Sequence, residues 1–382
     1  MMKKTYKLMA LSTLVTTLAM GSMVPSYASA AGNTTNATQA LASKYSNYGL
    51  GPEALKKAIT ETKSNMLVMD LYALTLVKQP VPDLNGLTAI STTLKTNVKT
   101  NFENSRKDAD TWLDDLKPKI ISVNQSIINY DTKFQTYCNT LIRAAKENNI
   151  PILRSGLTRL LQDITKNKGD VTQLLEKLRD YRSKLTTSTQ NFKDYSNEVT
   201  NILTGQDAGI PLMEQQLATN QELIDKNNKL LAASITGTAV GSWLTATIVL
   251  APFGAPILGV SAYGVDSLNK QIAQARNNII ELTKNISETR VQAGKLGVLK
   301  NTTDELTKTI DLAIDALQNI SNQWNTMEAK YNSVLQNLKT VDPEFVDFLE
   351  LDLEVSQTSW ADVRKHAEAL QNSEIKYVED KK

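Results

Sequence analysis

The chain has 382 residues, with 42 Lys and Arg against 40 Asp and Glu, a net charge of +2, one histidine and one cysteine. A nearly neutral chain provides no electrostatic field that would attract nucleic acid or an anionic surface over distance. The single cysteine excludes an intramolecular disulfide, and the single histidine argues against a His-based zinc site or a Ser-His-Asp triad.

The first thirty residues have the pattern of a secretory signal peptide. Lys3, Lys4 and Lys7 form a positive region, residues 8–24 carry no charge, and an Ala-Ser-Ala site follows at 28–30. We expect export and cleavage after residue 30. The mature chain then keeps 39 basic residues against 40 acidic ones, so any membrane binding must be apolar or pass through a partner.

A helical region follows a short N-terminal segment. Residues 31–46 are rich in Asn, Thr and Ala, which predicts a frayed segment. Gly51-Pro52-Glu53 should open the first helix, and Pro80 should end it. The predicted buried face of this helix repeats at three- and four-residue intervals and consists of Leu55, Ile59, Thr62, Met66, Met69, Ala73 and Leu76.

Two long helices are predicted next, from about Leu87 to Asn149 with a bend at Pro118, and from Pro151 to about Thr204. The apolar stripe after the bend is Ile120, Val123, Ile127, Tyr130, Phe134, Tyr137 and Leu141. The stripe of the following helix is Leu157, Leu160, Ile164, Asn167, Val171, Leu174, Leu178, Tyr181 and Leu185. Asn167 is its one polar member, and we expect it to set helix register rather than to bind a ligand.

After a bend at 205–211 and a short helix over 212–229, the chain contains 36 residues, 230–265, without a single charge. A membrane helix needs only ~20 apolar residues. As a helix, residues 230–250 would span about 31 Å, but 257–265 would span only about 13 Å as a helix and about 30 Å as a strand. Two forms that reach a membrane therefore remain open: a helix leading into an apolar β-hairpin, or a helix with a returning strand. A buried hairpin that never meets a membrane is the third possibility.

The candidate membrane-insertion residues of this run fall into four groups. Small residues recur every four positions, an indole suits a lipid interface, two prolines mark a turn, and β-branched residues favour a hairpin. In chain order these candidates are Ala233, Gly237, Gly241, Trp243, Ile248, Val249, Pro252, Phe253, Pro256, Ile257 and Val260.

The remaining chain predicts a helix over 266–341 and a last helix from Pro343 to about Gln371. The core face of the longer helix is Ile310, Ile314, Leu317, Ile320, Trp324, Met327, Tyr331, Val334 and Leu338. Seven-residue spacing in several long helices predicts a mainly α fold, an elongated antiparallel bundle with the apolar run in a small head at one end. The expected organisation is a signal peptide (1–30), a flexible N-terminus (31–46), bundle segments (47–210 and 267–372), a head with an apolar hairpin (211–266) and a flexible tail (373–382).

Residues suited to catalysis are few, and each has a simpler structural interpretation. We expect Cys138 to be a buried, inert thiol, His366 to lie on the surface, and Trp112, Trp324 and Trp360 to lie in the core. The acidic pair at 114–115 fits a solvated helix face, and no glycine pattern matches a phosphate-binding loop. The sequence therefore predicts no enzyme, no cofactor and no metal site.

Several segments resemble the Bacillus haemolysin BL and non-haemolytic enterotoxin family. They are NYGLGPEALKKAITETKSNMLVMDLYALTLVKQP at 47–80, WLDDLKPKIISVNQSIINYDTKFQTY at 112–137, DAGIPL at 207–212, IDLAIDALQNISNQWNTMEAKYNSVLQNL at 310–338 and DLEVSQTSWADV at 352–363. The chain looks most like the non-haemolytic enterotoxin B component, with the haemolysin BL lytic components next. It departs from that component in having a compact apolar segment interrupted by Pro252 and Pro256.

The resemblance implies a long helical bundle whose head carries an apolar β-tongue, as in the related cytolysin A fold. It further implies a secreted subunit that joins two other components, oligomerises and perforates animal cell membranes. The alternative is a secreted or surface helical module that binds a partner without lysis. The uncharged run distinguishes the two, because a plain spacer has no need of it.

Overall fold

The computed structural model describes residues 36–52, 54–78, 81, 84–85, 89–204, 288–340 and 342–371. Within these ranges the chain forms seven α-helices and no β-strand. The helices are α1 (Asn36–Lys44), α2 (Leu55–Lys78), α3 (Thr92–Thr111), α4 (Lys117–Lys146), α5 (Ile150–Thr204), α6 (Glu288–Asn337) and α7 (Pro343–Gln371). The predicted mainly α bundle is confirmed, whereas the signal peptide, the helix at 212–229, the apolar run and the tail lie outside the described residues.

Short polar side chains fix where the long helices begin and end. Ser91 caps α3 by accepting a hydrogen bond from the Leu94 amide at 3.2 Å. The turn between α4 and α5 includes Asn148 at φ 50°, a left-handed conformation that asparagine tolerates. The Asn149 side chain then accepts from the Ile152 amide at 3.3 Å, so α5 begins immediately and runs back along α4.

A π-helical turn, Trp112–Leu116, lies just before Pro118, where a bend is predicted, and joins α3 to α4 without a break. Pro118 follows this turn closely, and its ring provides no N–H to bond the preceding helical turn. Trp112 and Leu116 are both buried, so the wider turn presents both side chains to the core. The helix also begins at Thr92 rather than near Leu87, because Ser91 provides the cap.

The helices run in two opposite directions. α2, α5 and α7 point one way, and the continuous α3–α4 path and α6 point the other. The most extensive packing is between α5 and α6, between α4 and α7, and between α2 and α6, while α4 also packs against α5. At ~1.5 Å per residue, the 55 residues of α5 span about 82 Å, so the bundle is elongated.

The core consists of the faces that the sequence predicts. All predicted positions of α2 and α5 are buried, including Asn167, and Trp112, Trp324 and Trp360 have no exposed surface. Tyr137 and Ile314 are only partly buried and lie at the edge of the core.

The N-terminal segment differs from the frayed chain that its composition suggests, because α1 lies within 31–46 and the following residues pack on α7. The Tyr45 ring centroid lies 5.3 Å from that of Phe345 and 5.4 Å from that of Phe348. Its hydroxyl donates to Asp342 Oδ2 at 2.9 Å. Aromatic packing of this kind, worth about 1 kcal/mol per pair beyond burial, orders a segment that local propensity leaves unspecified.

Candidate functional site

All eleven candidate membrane-insertion residues lie in 205–287, outside the described residues. The structure does describe the two helices to which this segment is joined, α5 at its end and α6 at its beginning. We call residues 165–204 of α5 and 288–328 of α6 the stem. The geometry of the stem decides where on the bundle the uncharged run is attached.

The stem is an antiparallel pair of helices: as residue numbers rise along α5, the numbers of the contacting residues on α6 fall. The contacts are Lys168 Nζ to Glu328 Oε2 (2.7 Å), Arg179 Nη2 to Gln318 Oε1 (3.0 Å), Arg182 to Asp311, and the hydroxyls of Thr189 and Thr307 (2.7 Å). The chain therefore leaves α5 and returns to α6 at the same end of the bundle. The turns that join α4 to α5 and α6 to α7 lie at the opposite end.

Ion pairs follow the outer edge of the stem. Glu328 accepts hydrogen bonds from Lys168 Nζ and from Thr165 Oγ1, both at 2.7 Å, and these two donors lower the pKa of its carboxyl. Asp311 raises the pKa of the Arg182 guanidinium through their hydrogen bond. The side chains of this second pair are about half exposed, so solvent screens the attraction and the pair adds little to stability.

Where α3 packs against the stem, several of the buried side chains are polar. We call this the polar layer; its buried members are Asn101, Ser105, Ser188, Thr189 and Thr309. The Asn101 amide donates to the Ser188 carbonyl oxygen at 3.1 Å, whereas Ser105 Oγ has no hydrogen-bond partner within the described part of the chain. Polar side chains gain much less than leucine from burial, so this level holds the helices together less strongly than an apolar one.

Further from the end of the bundle to which residues 205–287 are joined, the core is aromatic. We call this the aromatic cluster: Tyr130, Phe134, Trp324, Tyr331 and Trp360. The Tyr130 ring centroid lies 4.5 Å from that of Trp360 and 5.5 Å from that of Trp324. Its hydroxyl donates to the Tyr331 hydroxyl at 2.7 Å, and burial raises the pKa of both phenols. This cluster packs α4, α6 and α7 against one another.

Buried carboxylates are used to hold helices together. Asp70 of α2 is fully buried and accepts hydrogen bonds from Trp112 Nε1 at 2.9 Å and Lys117 Nζ at 2.6 Å. Asp352 of α7 accepts from the Leu50 amide at 2.7 Å. Each carboxylate is paired with donors from another element, an arrangement typical of structural contacts.

The residues that could have carried chemistry are placed as structural ones. Cys138 is buried, its thiol lies 3.4 Å from the Leu353 carbonyl oxygen, and burial raises its pKa to about 12, so it is a poor nucleophile. His366 is half-buried, with Nδ1 3.0 Å from the Asp362 carbonyl oxygen. Asp114 and Asp115 are exposed. Over the described ranges, no group of His, Cys, Asp and Glu could hold a metal ion.

None of the described helices combines the length and the apolar composition that crossing a membrane requires.

Sequence reasoning missed the polar layer, although a signal for it exists. Between Leu185 and Phe192, both buried, α5 reads TTSTQN, and no apolar residue occupies the turn between them. A polar turn flanked by core residues at the correct seven-residue spacing indicates a buried polar level. The partner side chain on α3, Asn101, could not be identified without the tertiary structure.

Comparison with known proteins extends the sequence resemblance. Residues 49–227 match the family model described as Bacillus haemolytic enterotoxin (HBL). The solved Bacillus cereus HblL1 toxin component is 30% identical, with a TM-score of 0.76, covering 87% of this chain and 100% of that component. The chain belongs to the Bacillus haemolytic enterotoxin (HBL) family. A curated Bacillus cereus relative, an uncharacterized protein in the hblA 3′ region, is 30% identical over 109 residues, which are 69% of its length.

The HBL fold extends to more distant proteins. Soluble SmhA, of the tripartite alpha-pore-forming toxin Smh from Serratia marcescens, matches with a TM-score of 0.68 over 84% of this chain and 94% of its own. Its identity is only 14%, so this likeness concerns the fold alone. HBL membership places the chain among haemolytic enterotoxins and confirms that it is not an enzyme. The assignment to one toxin component stays a prediction.

Proposed function

We propose that this chain is a secreted component of a multi-part pore-forming toxin. It binds and permeabilises animal cell membranes by assembling with two partner components and inserting residues 230–265. The observation that carries the proposal is the antiparallel stem, which attaches 36 uncharged residues to a single end of an elongated bundle. Membership of a haemolytic enterotoxin family supports the same function.

Transfer of the uncharged run into lipid provides the driving force. Burial of apolar surface is worth ~25 cal/mol per Å², so ten newly buried side chains offset several kcal/mol of lost packing. Lipid offers no hydrogen bonds to a peptide backbone, so the inserted run must be helical or must pair with strands from neighbouring copies. Assembly on the membrane is therefore part of the proposed mechanism.

The candidate residues take different parts in this step. Ile248 and Val249, before the two prolines, and Ile257 and Val260, after them, face the acyl chains. Trp243 lies at the boundary between lipid and water. Ala233, Gly237 and Gly241 allow another segment to approach closely.

The two levels of the bundle core suit this step in different ways. The aromatic cluster keeps the half remote from the run rigid, while the polar layer lies nearer the run and separates at lower cost. A rigid base with a more easily opened end lets the head rearrange without unfolding the whole protein.

The test places one charge in the run. Ile248→Asp or Val249→Asp should raise the cost of insertion by about 3 kcal/mol, since an aspartate at the membrane centre costs that much. The control is Leu312→Asp, because Leu312 is an exposed apolar residue of the stem, 53% accessible to solvent. Dye leakage from red cells is measured with the mature chain, alone and with culture supernatant of the same organism supplying partner components.

We expect leakage by the wild type and the Leu312 variant, and roughly a hundredfold loss for either variant in the run. Equal lysis by folded Ile248→Asp protein would show that the run stays out of the bilayer. No leakage by the wild type in any mixture would favour the helical module that binds a partner without lysis.

A further inference from the structure

The α4–α5 side of the bundle carries a basic surface around one exposed apolar residue. On α5, Ile152, Arg159 and Lys166 recur every seven residues and are exposed. Lys133 and Arg143 of α4 are exposed as well. We call these five residues the basic flank. Ile152 is 42% accessible, and among the described residues Leu312 is the other large apolar side chain that is exposed.

A groove of about 320 Å³ continues the basic flank along the seam between α4 and α5. Its lining includes Asn129, Lys133, Asp163, Lys166 and Asn167. Lys133 is paired with Asp163 at 2.5 Å. Arg143, Arg159 and Lys166 form no ion pair with any described residue, so their charges face solvent.

The other side of α4 is covered by α7, whose outer surface has the opposite charge. Asp347 and Glu354 are exposed and seven residues apart, with the partly exposed Leu351 between them. We call these three residues the acidic flank. Residues 343–363 of α7 include no basic side chain. Lys146 of α4 approaches Glu354 only to 3.9 Å, in an exposed pair that leaves this carboxylate available to a stronger partner.

The two flanks lie at the same level of the bundle. The Cys138 thiol of α4 contacts the Leu353 carbonyl oxygen of α7, next to Glu354. Three residues further along α4, Leu141 lies so close to Gly156 of α5 that a Cβ there would be 2.7 Å from Leu141 Cδ2. Because α5 runs antiparallel to α4, the residue opposite Cys138 lies three positions after Gly156, at Arg159.

We propose that a second copy of this chain docks here, with the basic flank of one copy against the acidic flank of the next. The copies stand side by side and point in the same direction. This inference rests on the proposed function, of which it supplies the assembly contact. Two different surfaces of one chain meet in such a contact, so repetition closes into a ring when the rotation allows it.

The basic flank and the acidic flank have opposite charges and lie at the same level along the bundle, which is why we infer that a second copy occupies the site. With two copies upright and side by side, Arg159 of one lies level with Glu354 of the other. Asp347 lies one heptad below Glu354, as Ile152 lies one heptad below Arg159, so it is level with Ile152 and near Arg143. The apolar side chains Ile152 and Leu351 belong to the same contact, with charged residues around them, as in a small interface with a polar rim.

Charge reversal tests the contact. We expect Arg159→Glu or Glu354→Arg to raise about five- to tenfold the concentration needed for oligomer formation on phosphatidylcholine–cholesterol vesicles. The double variant should recover, since it restores the opposite charges across the contact. The control is Arg154→Glu, because Arg154 is exposed on α5 but lies outside the heptad of Arg159.

Disulfide crosslinking tests whether the molecule that binds at the basic flank is a second copy of this chain. In a Cys138→Ser background, Arg159→Cys with Glu354→Cys should give a ladder of disulfide-linked copies on vesicles, and Arg154→Cys with Glu354→Cys should not. These sites flank α4 on opposite sides, so a crosslink within one copy is geometrically disfavoured.

The two proposals fail differently. Unchanged oligomer formation in both reversals, or a wild type that stays monomeric on vesicles, overturns the second-copy contact. Reversals that reduce leakage only when supernatant components are present, while oligomer formation by the chain alone is unchanged, assign the surface to another component and also overturn it. Failure of the proposed function appears instead as absence of leakage by the wild type.

Discussion

The buried pair of hydroxyls in the aromatic cluster allows a quantitative test of the core. Tyr130 and Tyr331 lie on α4 and α6, are fully buried, and share one hydrogen bond of 2.7 Å. Tyr130→Phe leaves the Tyr331 hydroxyl without this donor, and Tyr331→Phe leaves the Tyr130 hydroxyl without its acceptor. Each single variant should lower the free energy of unfolding by about 1–3 kcal/mol, the cost of a buried polar group left unpaired.

The double variant separates this cost from the loss of a hydroxyl in itself. With both phenols replaced by phenyl rings no hydroxyl is stranded, so its destabilisation should not exceed that of one single variant. The coupling free energy between the two positions should be about 1–2 kcal/mol. Tyr137→Phe is the matched control, because Tyr137 is only partly buried and should change stability by less than about 0.5 kcal/mol.

The assay is unfolding of the mature chain in guanidinium chloride, followed by far-ultraviolet circular dichroism. Additive single effects, with the double variant as unstable as their sum, would refute the reasoning, since two independent hydroxyls show no coupling.

pH provides an independent check on the same pair. Burial raises the pKa of Tyr130 above its ordinary value of 10.0, so the folded phenol stays neutral while the unfolded one ionises. The stability from this group is complete below pH 10 and is lost as pH rises further. The double phenylalanine variant should therefore lose less stability at alkaline pH than the wild type.

Three further predictions concern single positions. Asp70→Ala should lower the free energy of unfolding by about 3 kcal/mol or more, because it leaves a largely buried lysine without its partner. Asp362→Ala, in an exposed pair, should lower it by less than about 1 kcal/mol. Equal effects of the two variants in urea unfolding would contradict this. Cys138, with a pKa raised to about 12, should react with a thiol reagent only in denaturant, and rapid labelling of the native protein would contradict its burial. The hydrogen bond from Lys168 lowers the pKa of Glu328, so Glu328 stabilises the fold above its ordinary pKa of 4.5 and this stability is lost as pH falls. Glu328→Gln should therefore weaken the dependence of the melting temperature on acid pH. An unchanged dependence would contradict the pairing.

The order of helices and the residues that face the core followed from the sequence. Leu157, Leu178 and Tyr331 are buried because three- and four-residue spacing places apolar side chains on one helical face, whichever helix packs against it. The uncharged run and the pattern that predicts a signal peptide are also properties of composition alone. The choice of the run as the membrane-inserting segment needs only its length and its lack of charge, because those two properties decide whether a segment can enter lipid.

Other features depend on distances between residues far apart in sequence, and only the tertiary structure decided them. The order of the N-terminal segment depends on Phe345 and Phe348, about three hundred positions beyond Tyr45. The sequence shows Arg159 and Glu354 only as exposed charges on separate helices. They lie at one level because α4 fixes the registers of α5 and α7 through Leu141 and Cys138. Helical periodicity fixes the face on which a side chain lies, but packing between helices fixes the neighbour that it meets.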